Sequence, residues 1–270
     1  MIDVGMLNEG HIYSFSQLQS FSECPYAFYL QKIERNPDMV NNAFASQGTL
    51  IHDLLDQWAK GELAIDQLPA EYEKRYPAEV VESWPRMLAA KGYAEKAFNI
   101  GLEYFKNFDG FKGYKIIATE ERFKIDLCGR PFVGIIDMVM EDEETGKLIV
   151  VDHKSKSLTA FKKVEDEMYR QQYVYSKYIF EKYGKYPDVL MFNLFKENGL
   201  KQEREFKESE YISTLVWAET QMQKMEEYDF VDWLVTKEVE PGKPDFFCTE
   251  LCSCRKVCPN GQMKYTPKRK

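Results

Sequence analysis

No run of eighteen apolar residues occurs in the 270-residue chain, so it offers no membrane-spanning helix and no membrane partner is expected. The N-terminus has no basic flank followed by an apolar stretch, so no secretory signal is visible. No Gly-x-x-x-x-Gly-Lys-Ser/Thr loop is present, which removes nucleotide-driven unwinding as an intrinsic activity. Neither an internal repeat nor a low-complexity segment appears, which excludes a solenoid or linker-rich assembly. Basic charge is also short. With 36 Lys and Arg against 44 Asp and Glu, the net charge is −8, a mild count against nucleic-acid binding. The distribution softens this: the acids spread over surfaces such as Glu141–Glu144 and Glu203–Glu205, and the C-terminal Lys264–Lys270 is basic. Metal-binding carboxylates also add to the acidic count.

What is present describes a soluble globular protein. Apolar residues make up 44%, aromatics 14% and charged residues 30%, enough for one large core or a core carrying an inserted subdomain. Six cysteines without a secretory leader imply reduced thiols or metal ligands, not a disulfide framework, and so a reducing cytoplasm, bacterial, archaeal or phage-infected.

Ser14 or Ser16 opens an apolar-periodic stretch over 14–33 that Pro25 interrupts, which places Cys24 near a helical break. Gly48 leads into a helix marked by Leu50, Leu54, Leu55 and Trp58. Residues 55–112 read as a helical insertion punctuated by Gly61, Pro69, Pro77 and Pro85, without a motif of their own. The period then changes. Ile116–Leu127, Phe132–Met140 and Leu148–Val151 are expected strands, the first two a hairpin broken at Gly129-Arg130-Pro131. A helix over 161–183, a strand over Val189–Phe195 and a helix over 208–229 follow. Strands, helix, strand and helix in this order predict an α/β or α+β sheet domain.

Asp137 and Asp152 each close an apolar run, where a buried acid is costly unless paired or metal-bound. On adjacent strands they can converge on one Mg²⁺ or Mn²⁺ that polarises a phosphate. Lys154, two residues after Asp152, shares its sheet face and can stabilise developing phosphorane charge. By itself Asp-x-Lys is also an ordinary surface pair beyond a strand end. His52, alone a common core or surface histidine, becomes a possible further metal ligand in Gly48-x-x-x-His52. Gln171 and Tyr175 are four apart on one helical face and can reach the same phosphate or base. Their plain alternative is a routine amphipathic helix. Glu120, on the first strand, is a possible further member of the site.

Cysteines mark both ends. Cys24 stands before Pro25, and Cys248, Cys252, Cys254 and Cys258 fall within eleven residues, a density typical of metal or iron–sulfur ligation. Cys128, alone after a strand, reads as a small buried hydrophobe.

Together these motifs resemble the RecB-like branch of the PD-(D/E)xK nuclease superfamily, within it the iron–sulfur exonucleases of CRISPR adaptation and the AddB-type recombination nucleases. The ordered set is Ser14-x-Ser16-x-Leu18-x-x-Phe21-x-x-Cys24-Pro25-x-x-Phe28, Gly48 to His52, Gly134 to Asp137, Asp152 to Lys154, Gln171 to Tyr175 and the C-terminal cysteines. The resemblance covers most of the chain and leaves roughly 55–115 without counterpart motifs. It implies a single domain over 1–270, a restriction-endonuclease-like mixed central sheet flanked by helices. It also implies a cysteine-bound metal centre joining residues 240–262 to Cys24. It implies His52, Asp137 and Asp152 as ligands of Mg²⁺ or Mn²⁺, Lys154 as the catalytic lysine, and Gln171 with Tyr175 on the substrate side. The substrate implied is DNA, as single strands or duplex ends, with a helicase, recombination or CRISPR protein as possible partner. The family's Cys-x2-Cys-x5-Cys spacing is one residue longer here in its first gap, Cys248-x3-Cys252, and Cys254 lies inside the last interval. Cys24, Cys248, Cys252 and Cys258 are the implied ligands of a [4Fe–4S] cluster, with Cys254 in reserve and a four-thiolate Zn²⁺ site as the rival. A catalytically inactive nuclease-fold module that binds DNA or protein is the competing function.

Overall fold

The computed structural model describes residues 10–228 and 246–262. The basic tail at 264–270 and positions 240–245 of the cysteine-rich segment lie outside the described residues. Six strands form one mixed sheet: β1 (Tyr13–Ser14), β2 (Tyr114–Leu127), β3 (Arg130–Asp142), β4 (Leu148–Lys154), β5 (Val189–Leu194) and β6 (Leu200–Glu205). β2 and β3 pair antiparallel along nearly their whole length, β3 meets β4 antiparallel, β4 and β5 run parallel, and β6 returns antiparallel on β5. β1 pairs parallel with Phe132 and Val133 of β3. Among the described residues ten α-helices accompany the sheet: α1 (Phe15–Glu23), α2 (Pro25–Phe28), α3 (Ala43–Ala59), α4 (Leu68–Glu79), α5 (Arg86–Ala89), α6 (Tyr93–Lys106), α7 (Leu158–Lys162), α8 (Glu165–Tyr183), α9 (Glu208–Glu227) and α10 (Pro259–Gln262). Among the described residues no helix is long and apolar enough to cross a membrane.

β4 and β5 are buried along almost every residue, which is why both read as unbroken apolar runs instead of alternating ones. One core packs the sheet against α1, α8 and α9, with Val150, Leu190, Phe192, Tyr169 and Tyr173 at its centre. On the other side, Leu50, Ile51, Leu54 and Leu55 of α3 join Tyr72 of α4 and Tyr104 and Phe105 of α6 in a second core. The helical insertion therefore has a structural task, to hold α3. The expected insertion over 55–112 overlaps the last turn of α3, which continues to Ala59.

Three details differ from the sequence reading. The β2–β3 turn is Cys128-Gly129, both at positive φ (53° and 76°), with Leu127 opposite Arg130. This is the two-residue hairpin geometry that favours glycine at its second position, and it puts the break before Arg130-Pro131. Cys128 is accordingly a half-buried turn residue that packs against the edge of the core instead of lying within it. The strand β6 was not anticipated, because Leu-Lys-Gln-Glu-Arg-Glu has no apolar alternation; its charges suit an exposed sheet edge.

Candidate active site

β3 and β4 pair only from Met138–Val151 to Glu141–Leu148. Asp137 and Asp152 are the next residues on either strand, so the two acids stand where the strands fork. Into this fork the Asp137 carboxylate turns back and accepts the His153 backbone N–H through Oδ2 at 2.8 Å. Asp152 is buried beside it, and Lys154 projects from the same strand face. The Lys154 ammonium donates to Asp152 Oδ1 at 2.9 Å and lies 2.7 Å from Oδ2. The Oδ2 contact is an ion pair without hydrogen-bond alignment, so this buried oxygen has no hydrogen-bond donor.

The fourth side of the fork is α3, started by Asn42, whose side chain accepts the Ala45 N–H. His52 Nε2 is 2.8 Å from the His153 carbonyl oxygen. Since a carbonyl only accepts, Nε2 carries the proton and donates. That leaves Nδ1 facing Asp137 Oδ2 at 3.5 Å. Glu120 arrives from β2 opposite Asp137, in a left-handed conformation (φ 45°) rare for a non-glycine residue and concentrated at functional sites. His52, Glu120 and Asp137 each offer a ligand atom, all within 4.8 Å of one another; among the described residues no other histidine, cysteine or acid group meets this condition.

Burial dominates the electrostatics. It pushes Asp152 up to about 6, with Asp137 adding to the rise and Lys154 opposing it. Glu120 is raised by burial and then by Asp137. For Lys154 burial works against the charge, but Asp152 and Asp137 outweigh it and the ammonium is held protonated. Burial drives His153 down to about 3, so this ring is neutral; its Nδ1 is 3.0 Å from Asn193 Nδ2.

A cleft of about 680 Å³ opens over these groups, lined from α3 by Phe44, Gly48, His52 and Asp56 and from the sheet by Glu120, Arg122, Asp137 and Lys154. Asp56, Lys60 and Arg122 were not anticipated. Asp56 pairs with Lys60 at 2.6 Å and accepts from Thr119 Oγ1 at 3.0 Å. The available signal was the i, i+4 step from His52 to Asp56 to Lys60. Gln171 and Tyr175 stand elsewhere. Tyr175 is buried, packs edge-on against Phe123 and feels both Asp152 and Asp137, while neither it nor half-buried Gln171 lines the cleft. Burial raises the Tyr175 phenol, so it remains a protonated donor.

The cysteines form a separate feature. Residues 251–255 lie against the chain after α2: Val40 N–H donates to the Ser253 carbonyl, Gln31 to Ser253 Oγ, and Arg255 to the Val40 and Asn41 carbonyls. Cys24 caps α2, and its thiol is raised by burial, with Cys252 and Cys258 close enough to raise it further. Cys254 is buried against the Ala27 carbonyl and Met39 Sδ. The Cys252 thiol donates to Cys254, which draws Cys254 down to about 7 and pushes Cys252 up. Cys248 lies on the π turn Phe247–Leu251, half-buried. Cys128 is apart, in the β2–β3 turn.

The family model of the PD-(D/E)XK nuclease superfamily matches residues 12–259. A candidate exonuclease from Eubacterium rectale is similar in structure, with 13% identity, a TM-score of 0.44, and coverage of 96% of this chain and 90% of its own. The protein SSO0001 gives 15% identity and a TM-score of 0.31 over 78% of this chain and 85% of its own. No curated protein matches the sequence.

Proposed function

The chain belongs to the PD-(D/E)XK nuclease superfamily, and we propose that it is a divalent-metal-dependent deoxyribonuclease that acts on DNA ends or single strands. The observation that carries this reading is the meeting of His52, Glu120 and Asp137 within 4.8 Å, beside a buried Asp152–Lys154 pair. Three acids there face one lysine, and Asp152 and Glu120 are raised first by burial and further by the neighbouring Asp137. Asp152 Oδ2 has no hydrogen-bond donor, and His52 Nδ1 faces the Asp137 carboxylate at 3.5 Å. These are the traits of a site that takes a cation.

Asp137, Asp152 and His52 would hold Mg²⁺ or Mn²⁺, with Glu120 as a further oxygen ligand. When bound, the ion polarises the scissile phosphate and makes water acidic enough to attack. The rest falls to the chain's own residues. The His153 carbonyl fixes the His52 tautomer and so the direction of Nδ1. The His153 N–H holds Asp137. Lys154 stays charged against the developing negative charge on phosphorus-bound oxygen. Tyr175 supports the acids from beneath, and Gln171 is assigned to the substrate side.

For the cysteines we keep Cys24, Cys248, Cys252 and Cys258 as ligands of a structural [4Fe–4S] cluster, with Cys254 in reserve. The donor set is all thiol, which suits a soft metal centre, and it joins the two ends of the chain. A tetrahedral zinc with 2.3 Å bonds draws sulfurs to about 3.8 Å of each other. Duplex unwinding, in recombination, repair or CRISPR processing, falls to a partner.

The test is cleavage of end-labelled linear and circular single-stranded and duplex DNA with Mn²⁺. Release of short products from linear DNA, lost in EDTA and in Asp152→Ala, is expected. Binding without cleavage under every condition would establish an inactive nuclease-fold module instead.

A further inference from the structure

Phe44, at one end of the catalytic cleft, belongs to an aromatic cluster that cleavage chemistry does not use. It stands in the first turn of α3, with Trp84 at 4.8 Å and Tyr93 at 5.6 Å between ring centroids; Trp84 and Tyr93 are 5.4 Å apart. Trp84 precedes α5 and Tyr93 opens α6, so two of the three rings come from the helical insertion. All three are half-buried. Over the cluster lies Lys196, from the turn after β5, with its ammonium 4.2 Å from the Phe44 centroid and 5.9 Å from that of Tyr93.

Among the described residues no carboxylate lies within ion-pair distance of Lys196. Burial pulls it down to about 8, and the cation that pushes it further is Lys156, two residues beyond Lys154 on the loop leaving β4. Lys196 over the rings and Lys156 close enough to repel it put two cations at this end of the cleft, and among the described residues neither makes an ion pair. Their position is continuous with the cleft, since Ser155 and Phe44 both line it. Beyond Lys196 a second groove of about 550 Å³ follows α6. Its lining mixes Lys96 with Glu95 and Glu103, so the anion contact belongs to Lys196 at the rim, not to the groove floor.

We propose that single-stranded DNA extends from the metal site past Phe44, where Lys196 pairs with a backbone phosphate and the Phe44–Trp84–Tyr93 cluster stacks on a base. Stacking on aromatic side chains beside a basic track is the general means of holding a strand without reading its sequence. A duplex keeps its bases inside the stack and cannot use the cluster. The inference rests on the nuclease reading for the identity of the cleft, and it names the form of DNA that the cleft selects.

The test uses fluorescein-labelled single-stranded DNA of about a dozen nucleotides, followed by anisotropy, with Ca²⁺ replacing Mn²⁺. Phe44→Ala and Lys196→Gln should each raise Kd about tenfold or more. Phe44→Tyr and Lys196→Arg should bind within about twofold of wild type. Independently of any variant, wild-type protein should bind an abasic strand about tenfold more weakly than the normal one. Equal binding of both strands, unchanged Kd in Phe44→Ala and Lys196→Gln, or equal loss for blunt duplex would overturn the proposal. Normal strand binding without cleavage in Mn²⁺ would instead remove the nuclease reading and leave this strand site standing.

Discussion

Asp137 Oδ2 accepts the His153 backbone N–H at 2.8 Å, and it does so where β3 and β4 stop pairing. A side chain thereby completes a strand ladder and at the same moment faces His52 Nδ1. Asp137→Ala removes both functions. It should abolish Mn²⁺-dependent cleavage and, by leaving a buried N–H without a partner, cost about 1–3 kcal/mol, or several degrees of melting temperature. His52→Ala leaves that N–H satisfied. It should weaken Mn²⁺ binding about 10–100-fold and affect Mg²⁺ less, since imidazole suits the softer ion. Titration calorimetry and thermal melts of the two variants separate these outcomes, and full activity in Asp137→Ala would reject the assignment.

Asp152 supplies a pH dependence with a definite sign. In the metal-free protein its carboxyl sits at about 6, above its ordinary 3.8, so it carries a proton below that pH and loses it above. A divalent cation competes with this proton. Mn²⁺ affinity should therefore fall as pH drops through 6 and level off above 7, with proton release on binding in between. Stability without metal runs the opposite way: the raised carboxyl favours the folded state below about pH 4 and loses that contribution as pH rises through 6. Calorimetry at pH 5 and pH 7.5 in two buffers checks the first point; equal affinities would show that Asp152 is not a ligand. Asp152→Ala and Lys154→Ala should each reduce cleavage at least 10²–10³-fold, on the order of losing one preorganised electrostatic contact.

Much of the site was legible because its chemistry is written as violations of strand pattern. Acids that close the apolar runs Gly134–Asp137 and Leu148–Asp152 have few structural reasons to exist, and both lie at the fork. Glu120 was legible by position, but its left-handed backbone was not, since nothing in Thr-Glu-Glu-Arg marks a positive φ. Asp56 and Lys60 were hidden for the opposite reason: an i, i+4 ion pair on a helix is ordinary, and only the fold shows that this one borders the cleft. The strand β6 escaped because an edge strand has no need of apolar alternation. Tyr175 shared a face with Gln171 as expected, yet Gly134 lets that ring sink into the core, a close approach that spacing along one helix cannot reveal.

The cysteine centre gives a visible readout. Cys24 lies near Cys252 and Cys258 although almost the whole chain separates them, so a shared metal closes a very long loop and can contribute on the order of several kcal/mol. Cys24→Ser in anaerobically purified protein should bleach brown colour and lower both solubility and melting temperature. Cys128→Ser, in the hairpin turn, should do neither. Cys254→Ser should keep the colour, because its sulfur contacts the Ala27 carbonyl and Met39 instead of standing open. Stoichiometric zinc in colourless protein would replace the cluster with the four-thiolate site. Loss of colour in Cys254→Ser, with retention in Cys252→Ser, would exchange those two ligands.

The two motif glycines should respond oppositely to alanine. A Cβ at Gly134 would stand 2.4 Å from Phe123 Cζ and 2.9 Å from Tyr175 Cε1, both ring atoms packed against the strand that carries Asp137. Gly134→Ala must displace these rings, so it should lose about 1–3 kcal/mol and disturb the acids that Tyr175 supports. At Gly48 a Cβ meets nothing within 4 Å, although the residue lies inside α3 and lines the cleft. Helix propensity alone then predicts that Gly48→Ala stabilises by up to about 1 kcal/mol. The added methyl, however, projects into the space that substrate must fill, one turn from His52. Gly48→Ala should therefore raise the melting temperature while raising KM for single-stranded DNA more than it changes kcat. If instead it lowers the melting temperature with KM unchanged, the open space beside Gly48 is not part of the substrate path.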